Sequence, residues 1–252
     1  MTESTMKAVL GQPCWVELYA SAPESSVQFY RELFGWSIQM LDADCALSHL
    51  ISAGEQMVGS IEPLAEGPVP SEGWVVCLWT TDLDALAERV APAGGQVIVE
   101  PVQVDESTRY ALVQDPEGNL VGVLEDLNFT PAAPAAGLPV WYDVLSRDLE
   151  GSREFHQEVF GWQTHPMPDV PYLTLGQGDG AVCGIGDAVV FGGDEARTGW
   201  QVYFAVENAD EAAARATRLG GTVLSAPADT PWGRMATVKD PQGAVFVLYQ
   251  LS

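Results

Sequence analysis

Two carboxylates, Glu17 and Asp143, each follow a tryptophan by two residues at corresponding points of a repeated segment. Both lie in stretches that alternate apolar and polar residues, which is typical of a β-strand. Because successive side chains of a strand point to opposite faces, Trp15 and Glu17 share a face, and so do Trp141 and Asp143. A carboxylate beside an aromatic wall in a cavity loses solvation, which raises its pKa. It can then serve as a general base or hydrogen-bond acceptor.

Two arginines, Arg109 and Arg234, recur on the strand that approaches an Asp-Pro turn in each half of the chain. Two interpretations of them remain open. Each arginine forms a structural ion pair with Glu17 or Asp143, or it stabilises negative charge that develops on a substrate while the carboxylate acts as the base.

The chain is one module repeated twice, and the repeat must position these side chains. Most matches occur at an offset of 126 residues, which becomes 125 after one deleted residue. We predict module 1 over residues 11–127 and module 2 over residues 138–251. A Pro- and Ala-rich linker covers residues 128–137. The matching residues include Trp15 and Trp141, Phe34-Gly35-Trp36 and Phe160-Gly161-Trp162, Trp74 and Trp200, and Asp115-Pro116 and Asp240-Pro241.

The periodicities in module 1 predict a strand, a helix and three strands, and then the same order again. The first helix is predicted over residues 23–34, with Gly35 as its end, and the second over residues 82–90. Module 2 follows the same order with weaker strands around residues 172–190. The predicted fold class is therefore α+β. The predicted strands of module 1 are 14–19, two or three pieces within 38–61, 74–80, 97–99, 109–114 and 120–125.

Charge and composition exclude several classes of partner. The 252 residues contain 11 Lys+Arg and 35 Asp+Glu, a net charge of −24 that repels nucleic-acid phosphates and anionic membrane surfaces. No apolar run approaches the roughly 20 residues of a membrane span, and the N-terminus lacks the apolar core of a signal peptide. We expect a cytoplasmic protein with small-molecule partners. The cysteines Cys14, Cys45, Cys77 and Cys183 are expected to be mostly buried, reduced thiols.

Two sequence motifs occur in both modules. The first is Phe29-Tyr30-x3-Phe34-Gly35-Trp36, matched by Phe155-His156-x3-Phe160-Gly161-Trp162, and the second is Asp115-Pro116-x-Gly118-Asn119, matched by Asp240-Pro241-x-Gly243. In this order they resemble the vicinal oxygen chelate superfamily of glyoxalase I, bleomycin-resistance proteins and extradiol dioxygenases. The layout is similar to an actinobacterial group that includes a mycobacterial culture-filtrate antigen. The resemblance implies two fused modules of paired βαβββ units whose sheets curl around a cavity.

In metal-binding members of that superfamily, the ligands lie on the first strand, on the strand before the second helix and on the last strand. The resemblance places those positions at Trp15, Val75 and Gly122, and at Trp141, Gln201 and Val247, of which only Gln201 can bind a metal. A register shifted by two residues gives Glu17, Cys77 and Leu124, or Asp143, Tyr203 and Tyr249. Neither register supplies three ligands, so we predict no metal and no cofactor.

The histidines and the other tryptophans are expected to be structural. His49, His156 and His165 do not match between the modules, and we expect each to be hydrogen-bonded or exposed. Trp36 and Trp162 follow the helix end and are interpreted as packing residues. Trp74 and Trp200 open strands after a glycine, which favours a pocket rim or a module interface. For Trp15 and Trp141 two interpretations remain open. Each indole forms a wall on which a flat ligand stacks, or each simply fills the cavity.

Three functions are compatible with these features. The first is a metal-free binding protein for a small aromatic or apolar metabolite, with a role in sequestration or resistance. Its ligand-contacting residues are predicted to be Trp15, Trp141, Val75, Gln201, Cys77 and Tyr203. The second is a glyoxalase-like lyase or isomerase, or a hydroxylase- or dioxygenase-like enzyme, with Glu17 or Asp143 as base and Arg109 or Arg234 as charge stabiliser. The third is a scaffold for oligomerisation. A monomer or a homodimer is compatible with all three.

Overall fold

The computed structural model of the protein describes residues 8–43, 46–64, 72–126, 128–192 and 197–251. Cys45 lies outside these residues. Within them the chain forms sixteen strands and five α-helices. The strands are β1 Pro13–Ala20, β2 Ser37–Ala43, β3 Ala46–Ala53, β4 Gln56–Pro63, β5 Gly73–Thr80, β6 Gln96–Gln103, β7 Thr108–Gln114, β8 Leu120–Asp126, β9 Pro139–Ser146, β10 Thr164–Pro166, β11 Tyr172–Leu175, β12 Cys183–Asp187, β13 Gly199–Val206, β14 Thr222–Thr230, β15 Gly233–Lys239 and β16 Val245–Gln250. The helices are α1 Pro23–Phe34, α2 Leu83–Val90, α3 Leu149–Phe160, α4 Ala188–Gly192 and α5 Ala209–Arg218.

The predicted order of strand, helix and three strands is confirmed and occurs four times. Helix α1 has the predicted bounds and ends at Gly35, whose φ of 73° is the left-handed conformation that glycine adopts without steric cost. Asp82 and Asp148 cap the N-termini of α2 and α3 through their side chains. Strands β10 to β12 are short, as the weak pattern in module 2 indicated, and α4 after β12 was not predicted.

The strands form two eight-stranded mixed sheets, which confirms the α+β class. Their orders are β2-β3-β4-β1-β5-β8-β7-β6 and β10-β11-β12-β9-β13-β16-β15-β14. In every βαβββ set the first strand runs parallel to the last, as in the pairs β1–β4, β5–β8, β9–β12 and β13–β16. No helix in the described ranges is long and apolar enough to cross a bilayer.

The chain divides into two compact units that do not follow the two sequence modules. Unit 1 contains the N-terminal segment up to Cys14, Val76–Ala132 and Tyr142–Trp200. Unit 2 contains Trp15–Val75, Ala133–Trp141 and the chain from Gln201 onward. Each unit is therefore built around two βαβββ sets, one from each module.

The core of unit 2 is an aromatic cluster around Tyr30. Its phenol ring stacks on Trp36 and meets Trp74 edge-on, with ring centroids 5.5 and 5.4 Å apart. Phe204 and Phe246 complete the cluster. Burying one such side chain contributes about 1.5–3 kcal/mol, so the cluster is a major source of stability. Trp74 is therefore a core residue: its expected place at a pocket rim was wrong, whereas the alternative of a module interface is confirmed, because its ring packs on Phe204 of module 2 at 5.1 Å between centroids.

The core of unit 1 repeats this arrangement around His156, which is fully buried. The imidazole lies against Trp162 and Phe160, with centroids 4.6 and 5.7 Å away. Trp36 and Trp162 are packing residues, as predicted, and each indole donates to a backbone carbonyl of its own unit. Trp36 Nε1 bonds Gly137 at 2.8 Å, and Trp162 Nε1 bonds Gly11 at 2.9 Å.

Candidate functional site

One face of β1 in unit 2 presents the predicted pair Trp15 and Glu17. The Glu17 carboxylate is 8% exposed and accepts a hydrogen bond from the Tyr19 hydroxyl at 3.2 Å. Trp15 Nε1 donates to Ser60 Oγ at 3.4 Å, so the half-buried indole is held beside β4. We call Trp15, Glu17, Tyr19 and Ser60 the Glu17 face.

The strands next to β1 extend the Glu17 face with a gradient of exposure. Glu17 pairs with Ser60 of β4, which pairs with Leu50 of β3, which pairs with Gln39 of β2. Gln39 at the sheet edge is exposed, whereas Ser60 is 3% exposed. The carboxylate therefore lies at the enclosed end of a row that opens toward solvent.

Beside the row of paired residues that contains Glu17, a second row of paired residues is also polar. Tyr19 pairs with Glu62 of β4, and Ser48 Oγ of β3 donates to the Glu62 carboxylate. Carboxylates, hydroxyls and an indole on one face can accept and donate hydrogen bonds to a ligand while an aromatic ring provides apolar contact.

In unit 1 the corresponding carboxylate, Asp143, is covered by a tyrosine. Asp143 is 7% exposed and accepts a hydrogen bond from the Tyr172 hydroxyl. The phenol lies over Gly184, the β12 residue that pairs with Asp143, because a Cβ at Gly184 would meet Tyr172 Oη at 2.1 Å. Phe191 of α4 packs edge-on against Tyr172, at 5.5 Å between centroids.

The two carboxylate sites therefore differ in what lies on the neighbouring strand. In unit 2 that residue is Ser60, whose hydroxyl is small, and in unit 1 it is a glycine beneath a tyrosine ring. Sequence reasoning missed Tyr19 and Tyr172. The alternation of β1 could have indicated Tyr19, whereas nothing local to Tyr172 shows that its hydroxyl reaches Asp143.

The other predicted ligand-contacting residues occupy several environments. Val75 and Cys77 of β5 are buried, at 5% and 0% exposure. Gln201 and Tyr203 of β13 are half-buried, and so is Trp141 of β9. Cys14 Sγ donates to the Cys77 carbonyl at 3.4 Å. Cys183 is also buried, as predicted, and burial raises the pKa of its thiol, with the nearby Asp143 carboxylate adding to the rise.

Within its described residues, the structure does not contain the ion pairs expected between Arg109 or Arg234 and the carboxylates Glu17 and Asp143, so that expectation was wrong. Arg109 pairs with Asp84 at 2.7 Å and Glu125 at 3.2 Å. Arg234 of β15 pairs with Asp210 at 2.6 Å and Asp229 at 3.0 Å. Asp84 and Asp210 lie in the first turns of α2 and α5. The arginines thus recur because each fastens a strand to the helix of its own βαβββ set.

The expectation that each histidine is hydrogen-bonded or exposed is wrong for His49, and it holds for His156 only at Nδ1, which bonds the Ser152 carbonyl. His165 is half-buried and bonds Gln177 at 2.9 Å, as expected. His49 is 7% exposed and its Nδ1 has no partner among the described residues, and the same is true of Nε2 of the buried His156.

Two open clefts lie away from both carboxylates. One in unit 2, of about 440 Å³, is lined by α1 and by Ile38, Met40 and His49. The other, in unit 1, is about 600 Å³ and is lined by α3 and by Thr164, Pro166 and Leu173. Both are open to solvent, and neither is lined by Glu17 or Asp143. The buried, hydrogen-bonded Glu17 is therefore the stronger mark of a functional site.

The described residues do not fit a metal of the superfamily type. Among them no group of three His, Cys, Asp or Glu side chains is placed to bind one ion. The positions implied by the resemblance carry tryptophan, valine, glycine or glutamine. Glu17 instead shares its environment with a phenol, an indole and a hydroxyl, which suit an organic ligand better than a cation.

Comparison with known proteins identifies relatives along the whole chain. A family model described as Glyoxalase/Bleomycin resistance protein/Dioxygenase superfamily matches residues 13–123, and one described as Glyoxalase-like domain matches residues 140–249. The chain is 30% identical over 249 residues to CFP32 of Mycobacterium bovis, which is named as a glyoxylase; the match covers 94% of this chain and 93% of CFP32. It is also 31% identical over 263 residues to the anthracycline biosynthesis protein DnrV of Streptomyces peucetius. That match covers 96% of this chain and 94% of DnrV.

Among solved structures, the chain is similar to the Mn(II)-bound glyoxalase from Novosphingobium aromaticivorans. The TM-score is 0.66 at 18% identity, over 96% of this chain and 82% of that one. At this identity the similarity establishes a shared fold.

Proposed function

Because the chain belongs to the glyoxalase/bleomycin resistance protein/dioxygenase superfamily, we propose that it is a metal-independent binding protein for a small aromatic metabolite. The Glu17 face of unit 2 is the proposed binding surface. The observation that carries the proposal is the Glu17 carboxylate, 8% exposed and hydrogen-bonded to Tyr19, on the same strand face as Trp15.

The chemistry of the face defines the ligand class. Trp15 offers a flat apolar surface, and Glu17 accepts a hydrogen bond from a ligand hydroxyl or amine. A net charge of −24 disfavours anionic ligands and favours neutral or cationic ones. Similarity to a protein named for anthracycline biosynthesis supports a flat polycyclic aromatic, since that class combines fused rings with hydroxyl groups.

Unit 2 is favoured over unit 1 by the neighbour of each carboxylate. Tyr172 covers Gly184 and saturates one oxygen of Asp143, so a ligand in unit 1 would have to displace the phenol. Ser60, the neighbour of Glu17, instead bonds the Trp15 indole, which is itself part of the proposed binding surface. The two carboxylates, equivalent in sequence, therefore make a matched pair for testing the site.

Tryptophan fluorescence tests the proposal, with an anthracycline and a simple catechol as the probes. We expect the anthracycline to quench the full-length protein saturably. The substitution E17Q removes a charged acceptor, which is worth about 1.5–3 kcal/mol, so it should weaken binding by at least about tenfold. D143N is the control and should bind like the unmodified protein. Equal weakening by both substitutions, or no quenching by either probe, would overturn the proposal.

Metal independence has its own measurement. Elemental analysis of protein purified without chelators should give well under one equivalent of manganese, zinc, nickel or iron, and binding should survive EDTA. A stoichiometric metal, or loss of anthracycline binding on chelation, would contradict the metal-independent part of the proposal.

An enzymatic function is the second candidate, and one contact favours it. The Tyr19 hydroxyl is 3.2 Å from Glu17 Oε2, a phenol and carboxylate within proton-transfer distance. The hemithioacetal of methylglyoxal and glutathione is the substrate to test, since the family model that matches residues 140–249 is described as a glyoxalase-like domain. Turnover that is lost in E17Q and kept in D143N would favour the enzyme over the binding protein.

A further inference from the structure

Unit 1 encloses two polar atoms that have no hydrogen-bond partner among the described residues: Nε2 of His156 and Nε1 of Trp200. The imidazole is fully buried, and its Nδ1 lies 2.8 Å from the Ser152 carbonyl. Because a carbonyl accepts, Nδ1 carries the proton and Nε2 is an acceptor. The indole Nε1–H of Trp200 is a donor. The two orphaned groups are thus complementary, and their rings are in contact, with centroids 5.9 Å apart.

Unit 2 shows how the same positions are satisfied when the histidine is replaced by a tyrosine. Tyr30 corresponds to His156, and Trp74 corresponds to Trp200. There the Tyr30 hydroxyl accepts from Trp74 Nε1 at 3.2 Å and donates to Asp240 Oδ2 at 3.0 Å. The ring geometry is conserved between the units, since Tyr30 and Trp74 meet edge-on at 76° and His156 and Trp200 at 73°.

A second substitution accompanies the histidine. Asp115 corresponds to Asp240, and in both units Oδ1 of this aspartate accepts from backbone amides of its turn. Its Oδ2 accepts from Asn119 Nδ2 at 2.8 Å in unit 1, whereas it accepts from Tyr30 in unit 2, where Ala244 stands in place of the asparagine. Asn119 thus replaces the tyrosine as donor to the aspartate. It does not supply a partner for the indole.

We propose that unit 1 holds one buried water molecule between His156 Nε2 and Trp200 Nε1, where the Tyr30 hydroxyl lies in unit 2. The water donates to His156 Nε2 and accepts from Trp200 Nε1. Its second proton faces the Asp115 side of the cluster, as the Tyr30 proton faces Asp240. Buried waters typically make two to four hydrogen bonds, and His156 Nε2 and Trp200 Nε1 provide two of them.

The donor and acceptor pattern selects a neutral ligand over an ion. A metal cation would be repelled by the indole N–H, which cannot coordinate it. An anion would face the lone pair of Nε2 and the carboxylate of Asp115. Burial lowers the pKa of His156 to about 4, so the imidazole stays a neutral acceptor near neutral pH. A single water molecule, which both donates and accepts, satisfies the two orphaned groups.

NMR on the uniformly ¹⁵N-labelled full chain tests the site. We expect the Trp200 indole proton to show a cross-peak to a long-lived water, with the sign of a bound molecule. The Trp74 indole proton, bonded to Tyr30, should show none. Substitution W200F assigns the first signal and W74F the second. Absence of the water cross-peak at Trp200 in the unmodified protein would overturn the proposal.

Exchanging residues between the units gives a reciprocal test. The double variant H156Y/N119A installs the hydroxyl and frees Asp115 Oδ2, so the Trp200 water signal should disappear. Y30H/A244N makes the opposite change and should create a water signal at Trp74. A Trp200 signal unchanged in H156Y/N119A would contradict the site. If either variant fails to fold, a high-resolution crystal structure of the unmodified protein decides, by presence or absence of ordered density between the two nitrogens.

Discussion

The Tyr30 hydroxyl donates a hydrogen bond to Oδ2 of Asp240 across 3.0 Å, although the two residues lie 210 positions apart in the chain. The bond joins α1 of module 1 to the Asp-Pro turn of module 2 inside unit 2. Burial, followed by the charge of Asp240, raises the pKa of Tyr30, so the phenol remains a donor over the working range of the protein. The contact shows that the two modules fold as parts of one structure.

Replacing Tyr30 by phenylalanine should destabilise the protein. The substitution removes the bond to Asp240 and leaves Trp74 Nε1 without its acceptor, which together cost about 1–3 kcal/mol. Urea unfolding followed by circular dichroism measures the loss. Y249F is the control, because its hydroxyl bonds the exposed carbonyl of Trp232, and it should stay within about 0.5 kcal/mol of the unmodified protein. Equal losses in the free energy of unfolding from Y30F and Y249F would show that the buried hydrogen bonds of Tyr30 add no more stability than the exposed bond of Tyr249.

His156 should make stability depend on pH. Burial lowers its pKa from 6.5 to about 4, partly opposed by the bond to Ser152, so below pH 6.5 the unfolded chain binds a proton that the native chain does not. Its contribution is therefore fully present above about pH 6.5, falls as the pH drops, and levels off below about pH 4, a loss of about 3 kcal/mol.

Urea midpoints between pH 4 and pH 7 measure this effect. The variant H156Q carries a neutral side chain at that position and should show a shallower dependence than the unmodified protein. Identical slopes in the two proteins would mean that His156 is not the group that titrates.

Gly184 should be intolerant of a side chain. A Cβ there would lie 2.1 Å from Tyr172 Oη, so G184A forces the phenol away from Asp143 and should cost about 1–3 kcal/mol. G180A is a matched control in the same hairpin, since nothing lies within 4 Å of a Cβ at Gly180. Thermal unfolding of both variants distinguishes a specific clash from a general sensitivity of the hairpin.

The end of α1 should depend on glycine for a different reason. Gly35 has φ 73° and open space around its Cβ position, so G35A should cost about 1 kcal/mol through backbone strain alone. G35N should cost less, because asparagine tolerates the left-handed conformation. A larger loss for asparagine than for alanine, measured by urea unfolding, would point to a steric cause instead.

Much of the fold was predictable because its signals are local. The stripe of apolar residues over 23–34 followed by Gly35 determined the bounds of α1. The repeat at an offset of 126 residues determined that every element would recur. Alternation along β1 and β9 placed Glu17 and Asp143 on one strand face with their tryptophans. Apart from the repeat, which compares one module with the other, each of these inferences depends on residues within a few turns or strand positions of one another.

The partners of the candidate site came from contacts between distant segments. The recurrence of Arg109 and Arg234 was correctly identified, but their partners Asp84 and Asp210 lie on helices about 25 positions away and leave no spacing signal. The phenol of Tyr172 reaches Asp143 because two neighbouring strands fix their register, and register is set by the whole sheet.

The sequence by itself determined that this protein is a tandem α+β chain with two equivalent carboxylates and a large acidic excess. Only the tertiary structure decided that each compact unit draws on both modules, that Tyr172 covers Asp143 while Ser60 adjoins Glu17, and that His156 faces Trp200. The physical reason is that periodicity reports the face on which a side chain lies. The group that it meets there depends on packing between segments far apart in the chain, which no local pattern encodes.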